Sequence, residues 1–112
     1  MGEILILSTV NSAELADRMA RSIVEENLAA CVNIVPSVRS IYRWEGKICD
    51  DTELMLLIKT VDSNFERVRK KIRILHEYDT PEIIAFALTA GDSDYLKWLH
   101  GCSENPLAQD ED

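Results

Sequence analysis

No CxxC pair stands in this 112-residue chain, although it holds three cysteines, Cys31, Cys49 and Cys102. That excludes the paired-thiol zinc and copper-transfer motifs, and an odd count without a secretory leader points to reduced thiols. The four glycines, Gly2, Gly46, Gly91 and Gly101, are too scattered to form a phosphate-cradling loop. No apolar stretch approaches the roughly 20 residues of a membrane helix, and no basic segment precedes the apolar residues 4–7. Neither a membrane partner nor a leader is therefore expected, and the expected location is the cytoplasm. Positive charge is also short: 12 Lys+Arg face 20 Asp+Glu, a net charge of -8. Nucleic-acid affinity draws on clustered positive charge, so nucleic acid is not an expected partner, whereas cations suit this balance.

What is present describes a soluble globular chain, with 46% hydrophobic and 29% charged residues. One core suffices at this length, without disulfides or a structural metal. Residues 3–10 are a continuous apolar run of strand length. Asn11 and Glu14 then read as a capping pair for a helix whose apolar stripe is Leu15, Met19 and Ile23, ending near Asn27. Strand composition returns over residues 29–44, interrupted by Pro36, where a bulge or bend is expected. Glu45-Gly46 supplies a tight hairpin turn, and residues 53–60 form a buried-type strand.

Ser63 and Glu66 read as a second capping box, for a helix striped by Phe65, Val68, Ile72 and Leu75. His76 falls at its end, a loop leads to a strand over residues 82–89, and Asp92 can cap a last helix. The expected class is α+β: a ferredoxin-like βαββαβ sandwich with an extended β2–β3 hairpin and a C-terminal helix. The expected organisation is one domain over residues 1–102, followed by an acidic, disordered tail at residues 103–112. Two helices cover one sheet face only, so Val38, Tyr42, Met55 and Leu57 are expected on an uncovered face, and self-association would supply the cover.

For Cys31 the local reading is packing, because free cysteine behaves as a small hydrophobe and Ala30 and Val32 offer no base. His76-Glu77-Tyr78-Asp79 begins like the zinc-protease helix motif but has Thr80 where the second His belongs, so that reading fails. What remains is imidazole, carboxylates and a phenol at one corner, followed by Glu82. Such donors can hold Cu²⁺ or Zn²⁺, and equally describe a capping His among solvated acids. Tyr42 and Trp44 share a strand face, as core or interface aromatics do. Lys59 either reaches solvent on its apolar stem or meets a ligand anion.

Five blocks in register resemble the CutA divalent-cation-tolerance proteins: Leu28-Ala-Ala-Cys-Val-Asn-Ile34, Ser40-x-Tyr-x-Trp-x-Gly-Lys47, Glu53 with Leu57-Ile-Lys-Thr60, His76-x-Tyr-x-x-Pro-Glu82, and Tyr95-Leu-x-Trp-Leu99. The resemblance implies a homotrimer akin to PII signalling proteins, a link to tolerance of copper and other divalent cations, and no catalytic reaction. It also implies an intersubunit pocket containing Cys31, Trp44, Lys59, His76, Tyr78, Glu82 and Trp98, with Cys31, His76 and Glu82 as candidate metal donors. Glu77 departs from the family's usual Pro, which makes the loop less rigid and more acidic. The leading expectation is a non-enzymatic, cation-binding trimer, with Cu²⁺ or another divalent cation as cofactor. The alternative is a PII-like signalling trimer that takes a small anionic metabolite between subunits, with Lys59 as charge partner. An acylphosphatase-type enzyme lacks its basic cradle, and an RNA-binding domain lacks aromatic-basic strand motifs.

Overall fold

A computed structural model describes residues 2–104 of the chain, and the first strand opens at residue 3. The elements run β1 (Glu3–Val10), α1 (Ala13–Glu25), β2 (Cys31–Trp44), β3 (Lys47–Val61), a 3-10 turn at Asp62–Asn64, α2 (Phe65–Leu75), β4 (Ile84–Ala87) and α3 (Ser93–Cys102). The four strands form one antiparallel sheet in the order β2-β3-β1-β4. This is the ferredoxin-like α+β arrangement.

Alternation along β1 and β3 decides which face is the core. Ile4, Ile6 and Val10 pair with Thr60, Ile58 and Leu54 and meet Leu15, Met19 and Ile23 of α1 and Val68 and Ile72 of α2. Ile6, Met19, Ile23, Leu56, Ile58 and Ile72 are fully enclosed. Each such side chain contributes on the order of 1.5–3 kcal/mol relative to leaving it in water. Ser8 also lies in this layer, and its hydroxyl finds no hydrogen-bond partner.

Two helix starts differ from expectation. Ser12, not Asn11, caps α1, its Oγ accepting from the Leu15 N–H at 3.1 Å. A cap side chain must reach the third helical residue, and Asn11 stands one position too early. The capping box of Ser63 and Glu66 is absent: Asn64 occupies the cap position without a side-chain cap bond, and Glu66 pairs with Arg69 at 2.9 Å. The Asn64 amide is instead buried, donating to Leu28 O at 3.1 Å and Ser103 O at 2.8 Å and lying 3.2 Å from Thr60 Oγ1. Long-range acceptors won over the local cap. The end of α1 falls as expected: Asn27 takes φ 59, and its N–H and that of Leu28 return to Val24 O and Ile23 O. That is a Schellman closure with Asn in the left-handed position.

β4 spans only Ile84–Ala87 rather than residues 82–89, because its pairing with β1 covers Ile4 to Leu7 alone. Ser103, the first residue of the stretch expected to be tail, is buried, and its Oγ donates to Leu99 O at 2.9 Å. The rest of that expectation, from residue 105 on, lies outside the described residues.

Beyond Leu54, β3 loses β1 as a neighbour and continues with β2 alone, so a two-stranded ribbon projects from the sheet. Its turn places Glu45 at φ 51 and Gly46 at φ 80, the positive pair of a two-residue hairpin turn. At Pro36 and Ser37, two residues of β2 stand opposite one of β3, the bulge expected at the proline. On the second sheet face, α3 covers one end, with Lys59 Nζ 5.8 Å from the Tyr95 ring centre. The remainder of that face is open, and Ile84 and Phe86 of β4 are 43% and 49% exposed.

Candidate functional site

Where the ribbon leaves the sheet, the loop after α2 folds against it and a cleft of about 690 Å³ results. Thr9 of β1, Tyr42 and Trp44 of β2, Glu53 of β3 and Tyr78, Asp79 and Glu82 of the loop line it. Pairing opposite Val38 puts Glu53 at the root of the ribbon, and it is only 6% exposed. The Tyr78 hydroxyl donates to Glu53 Oε2 at 2.6 Å, and the Tyr42 hydroxyl donates to Asp51 Oδ2 at 2.5 Å. Two phenols thus grip two carboxylates spaced i, i+2 on one face of β3.

These pairs hold the phenol protons. The bond to Asp51 pushes Tyr42 up to about 12, with smaller contributions from desolvation and from the Asp51 charge. Burial pushes Tyr78 well above the ordinary phenol value, helped by its bond to Glu53. At neutral pH both groups therefore act as hydrogen-bond donors rather than as bases or nucleophiles. At the ribbon's edge Arg39 grips Asp50 bidentately at 2.9 and 2.7 Å, which holds the Asp50 carboxyl below its usual range.

His76 sits behind this wall, buried. Its Nε2 is 2.7 Å from Thr9 O, and its Nδ1 accepts from the Tyr78 N–H at 3.1 Å. A carbonyl can only accept and an amide N–H can only donate, so Nε2 carries the proton and Nδ1 the lone pair. Both ring nitrogens are engaged, and the imidazole lies 4.5 Å from the Tyr78 ring. The histidine orients the loop that carries Tyr78.

The residues singled out by sequence fall into two groups. Trp44, Tyr78 and Glu82 line the cleft, with His76 behind it. Cys31 and Lys59 face each other at the other end of the β2–β3 ladder, and Trp98 stands nearby against Tyr95 at 5.5 Å. Lys59 stands six positions along β3 from Glu53, a span of about 20 Å. Within one chain Cys31 is therefore not brought to His76 or Glu82. Among the described residues no three His, Cys, Asp or Glu side chains gather closely enough to hold a metal ion. Cys31 is partly exposed, its Sγ 3.9 Å from Asn33 Oδ1. Sequence reasoning passed over the buried state of Glu53 and the Tyr42–Asp51 pair. The one local signal was a carboxylate opening an otherwise apolar strand.

Comparison with known proteins gives a consistent result. The family described as "CutA1 divalent ion tolerance protein" matches residues 4–102. The "Divalent-cation tolerance protein CutA" of Thermus thermophilus is 47% identical over 97 residues, covering 87% of this chain and 94% of that protein. "Protein CutA, chloroplastic" of Arabidopsis thaliana is 46% identical over 102 residues, which are 91% of this chain but 56% of the plant protein. The solved structure of the Thermus thermophilus divalent cation tolerance protein superposes with a TM-score of 0.88 at 46% identity, covering 90% of this chain and 98% of its own.

Proposed function

The chain belongs to the CutA1 divalent ion tolerance family, and from that premise we propose that it is a non-catalytic homotrimer that binds divalent cations, Cu²⁺ among them, in support of cation tolerance. The observation that carries this reading is the division of the expected pocket residues into two groups at opposite ends of the β2–β3 ladder. Cys31 and Lys59 of one subunit meet His76, Tyr78 and Glu82 only across a boundary between copies. The open second sheet face, with Phe86 half-exposed, and the projecting ribbon are surfaces such an assembly would cover. The donors assigned to the cation are Cys31, Glu82 and His76, the last only by giving up its bond from the Tyr78 N–H. A net charge of -8 favours cations over nucleic acid as partners. No helix among the described residues is long and apolar enough to cross a membrane, and the three free thiols support a cytoplasmic location.

Light scattering after size exclusion tests the assembly, with three times the 12.7 kDa chain mass expected and a monomer mass at every concentration overturning it. Calorimetric titration of Cu²⁺ into the parent, Cys31→Ser and Glu82→Gln tests the donors. Weaker binding by each variant is expected, and a variant that binds like the parent removes that donor.

A second reading, a PII-like signalling trimer that binds a small anionic metabolite, is favoured by Lys59. Its ammonium lies over the Tyr95 ring with no carboxylate in ion-pair range among the described residues. Under that reading ATP raises the melting temperature of the parent but not of Lys59→Met, and an equal rise in both defeats it.

A further inference from the structure

Positive charge is scarce in this chain, yet α2 concentrates it. Of the 12 basic residues, α2 holds Arg67, Arg69, Lys70, Lys71 and Arg73, against a single acid, Glu66. Val68 and Ile72 turn to the sheet, so the helical period places Arg67, Lys70, Arg73 and Ile74 on one outward stripe, and all four are exposed. The cations beside the stripe are compensated, Lys71 by Glu26 at 2.8 Å and Arg69 by Glu66 at 2.9 Å. On the stripe itself Lys70 makes no ion pair among the described residues, and Arg73 donates to a neutral acceptor, Asp79 O, at 3.4 Å.

Ile74 gives this face its second character. It is 76% exposed, more than any other large apolar side chain among the described residues, and the two next in exposure, Ile48 and Ile41, lie on the ribbon that an assembly would cover. The stripe points away from the sheet, on the side opposite the open second face. Covering that second face and the ribbon therefore leaves Lys70 and Ile74 in water. A convex helix face cannot enclose a small molecule, but an extended peptide can lie along it. An anionic membrane is a poorer match, because its plane would also meet the exposed Glu14, Asp17 and Glu25 of α1, which packs beside α2. A peptide on α2 senses charge mainly within the Debye length of about 8 Å, so the local cations outweigh the net charge of the chain.

We propose that the outer face of α2 docks an acidic peptide segment of a partner protein, whose carboxylates meet Arg67, Lys70 and Arg73 and whose one apolar side chain covers Ile74. The surface uses none of the residues assigned to the cation or to the boundary between copies, so it stands or falls apart from that reading.

Fluorescence anisotropy of the full chain with labelled Glu-Glu-Leu-Glu-Glu and Gln-Gln-Leu-Gln-Gln peptides tests it. At about 0.05 M salt the acidic peptide is expected to bind about tenfold or more tighter, and the preference should shrink at about 0.3 M. Lys70→Glu is expected to weaken the acidic peptide by about tenfold, and Ile74→Ser by about fivefold. Both positions are exposed, so melting temperatures close to the parent's show that the variants fold. Lys97→Glu, on α3, changes the net charge equally and is expected to bind like the parent. Equal binding of the two peptides, equal losses in Lys70→Glu and Lys97→Glu, or unchanged affinity in Ile74→Ser overturns the proposal. So does parent protein that sediments with phosphatidylserine vesicles when Lys70→Glu does not, since the face would then serve a membrane. Binding that emerges only after Asp110, Glu111 and Asp112 are replaced by their amides makes the chain's own acidic segment the occupant and overturns it as well.

Discussion

Replacing His76 by alanine tests whether this imidazole is an architectural knot. The substitution removes the donor to Thr9 O and the acceptor for the Tyr78 N–H. Thr9 is 6% exposed, so its carbonyl is left with little water and the loss there is about 1–3 kcal/mol. Tyr78 is partly exposed, so its amide recovers some hydration and loses less. The vacated ring also forfeits its contact with the Tyr78 ring. Together these give a destabilisation of about 2–5 kcal/mol, a large share of the ~5–15 kcal/mol that holds a typical domain. Thermal melts at one protein concentration, with EDTA present, should show a fall of roughly 8–20 °C. His76→Gln, whose amide can still donate to Thr9 O, should recover about half of it. A His76→Ala melt within about 2 °C of the parent in EDTA would refute the two-bond account. A loss seen only when Cu²⁺ is added would make the residue a ligand instead.

Phenolate absorbance should report Tyr42 titrating at about 12 and Asp51→Asn restoring it toward the ordinary ~10; a parent value near 10 would contradict the pairing. Because the folded chain holds that proton more tightly than the unfolded chain, the pair's contribution to stability is whole below pH ~10 and disappears as pH rises through about 12. Asn64→Ala should lower the urea midpoint by the equivalent of about 1–3 kcal/mol, since Ser103 O loses its buried donor. Amide exchange in α3 should quicken more than in β1, and uniform change would argue against a local tether. Ser8→Ala should stabilise the chain by up to ~1 kcal/mol, because the orphaned hydroxyl leaves the core; a loss of stability would show that the hydroxyl has a partner.

Features set by neighbours in sequence were legible. β1 spans the residues expected of it, the Glu45–Gly46 turn follows from glycine's tolerance of positive φ, and Pro36 marks the bulge. Features set by distant partners were not. Ser63 and Glu66 have the spacing of a capping box, yet Asn64 is drawn to acceptors 36 and 39 residues away. The candidate site divides along the same line. Trp44, Tyr78 and Glu82 could be chosen as aromatic and acidic side chains near turns. The burial of Glu53 depends on the loop after α2 folding back over β3, and no local pattern announces that.

The bulge at Pro36 and Ser37 acts as a frameshift in the alternation of β2. Before it the odd-numbered Cys31, Asn33 and Val35 share a face with Lys59, Leu57 and Met55; after it the even-numbered Val38, Ser40, Tyr42 and Trp44 continue that face. Deleting one of the two would straighten the strand yet leave Val38 opposite Glu53 and every distal side chain on its present face. Flattening the bulge with both residues kept would instead slip the distal strand by one, so that Arg39, Ile41 and Arg43 meet the acids of the cleft and Tyr42 and Trp44 turn to the opposite face. The character of the cleft therefore rests on two residues sharing one opposite position, and this stretch should accept loss of one residue more readily than a change that flattens the bulge while keeping both.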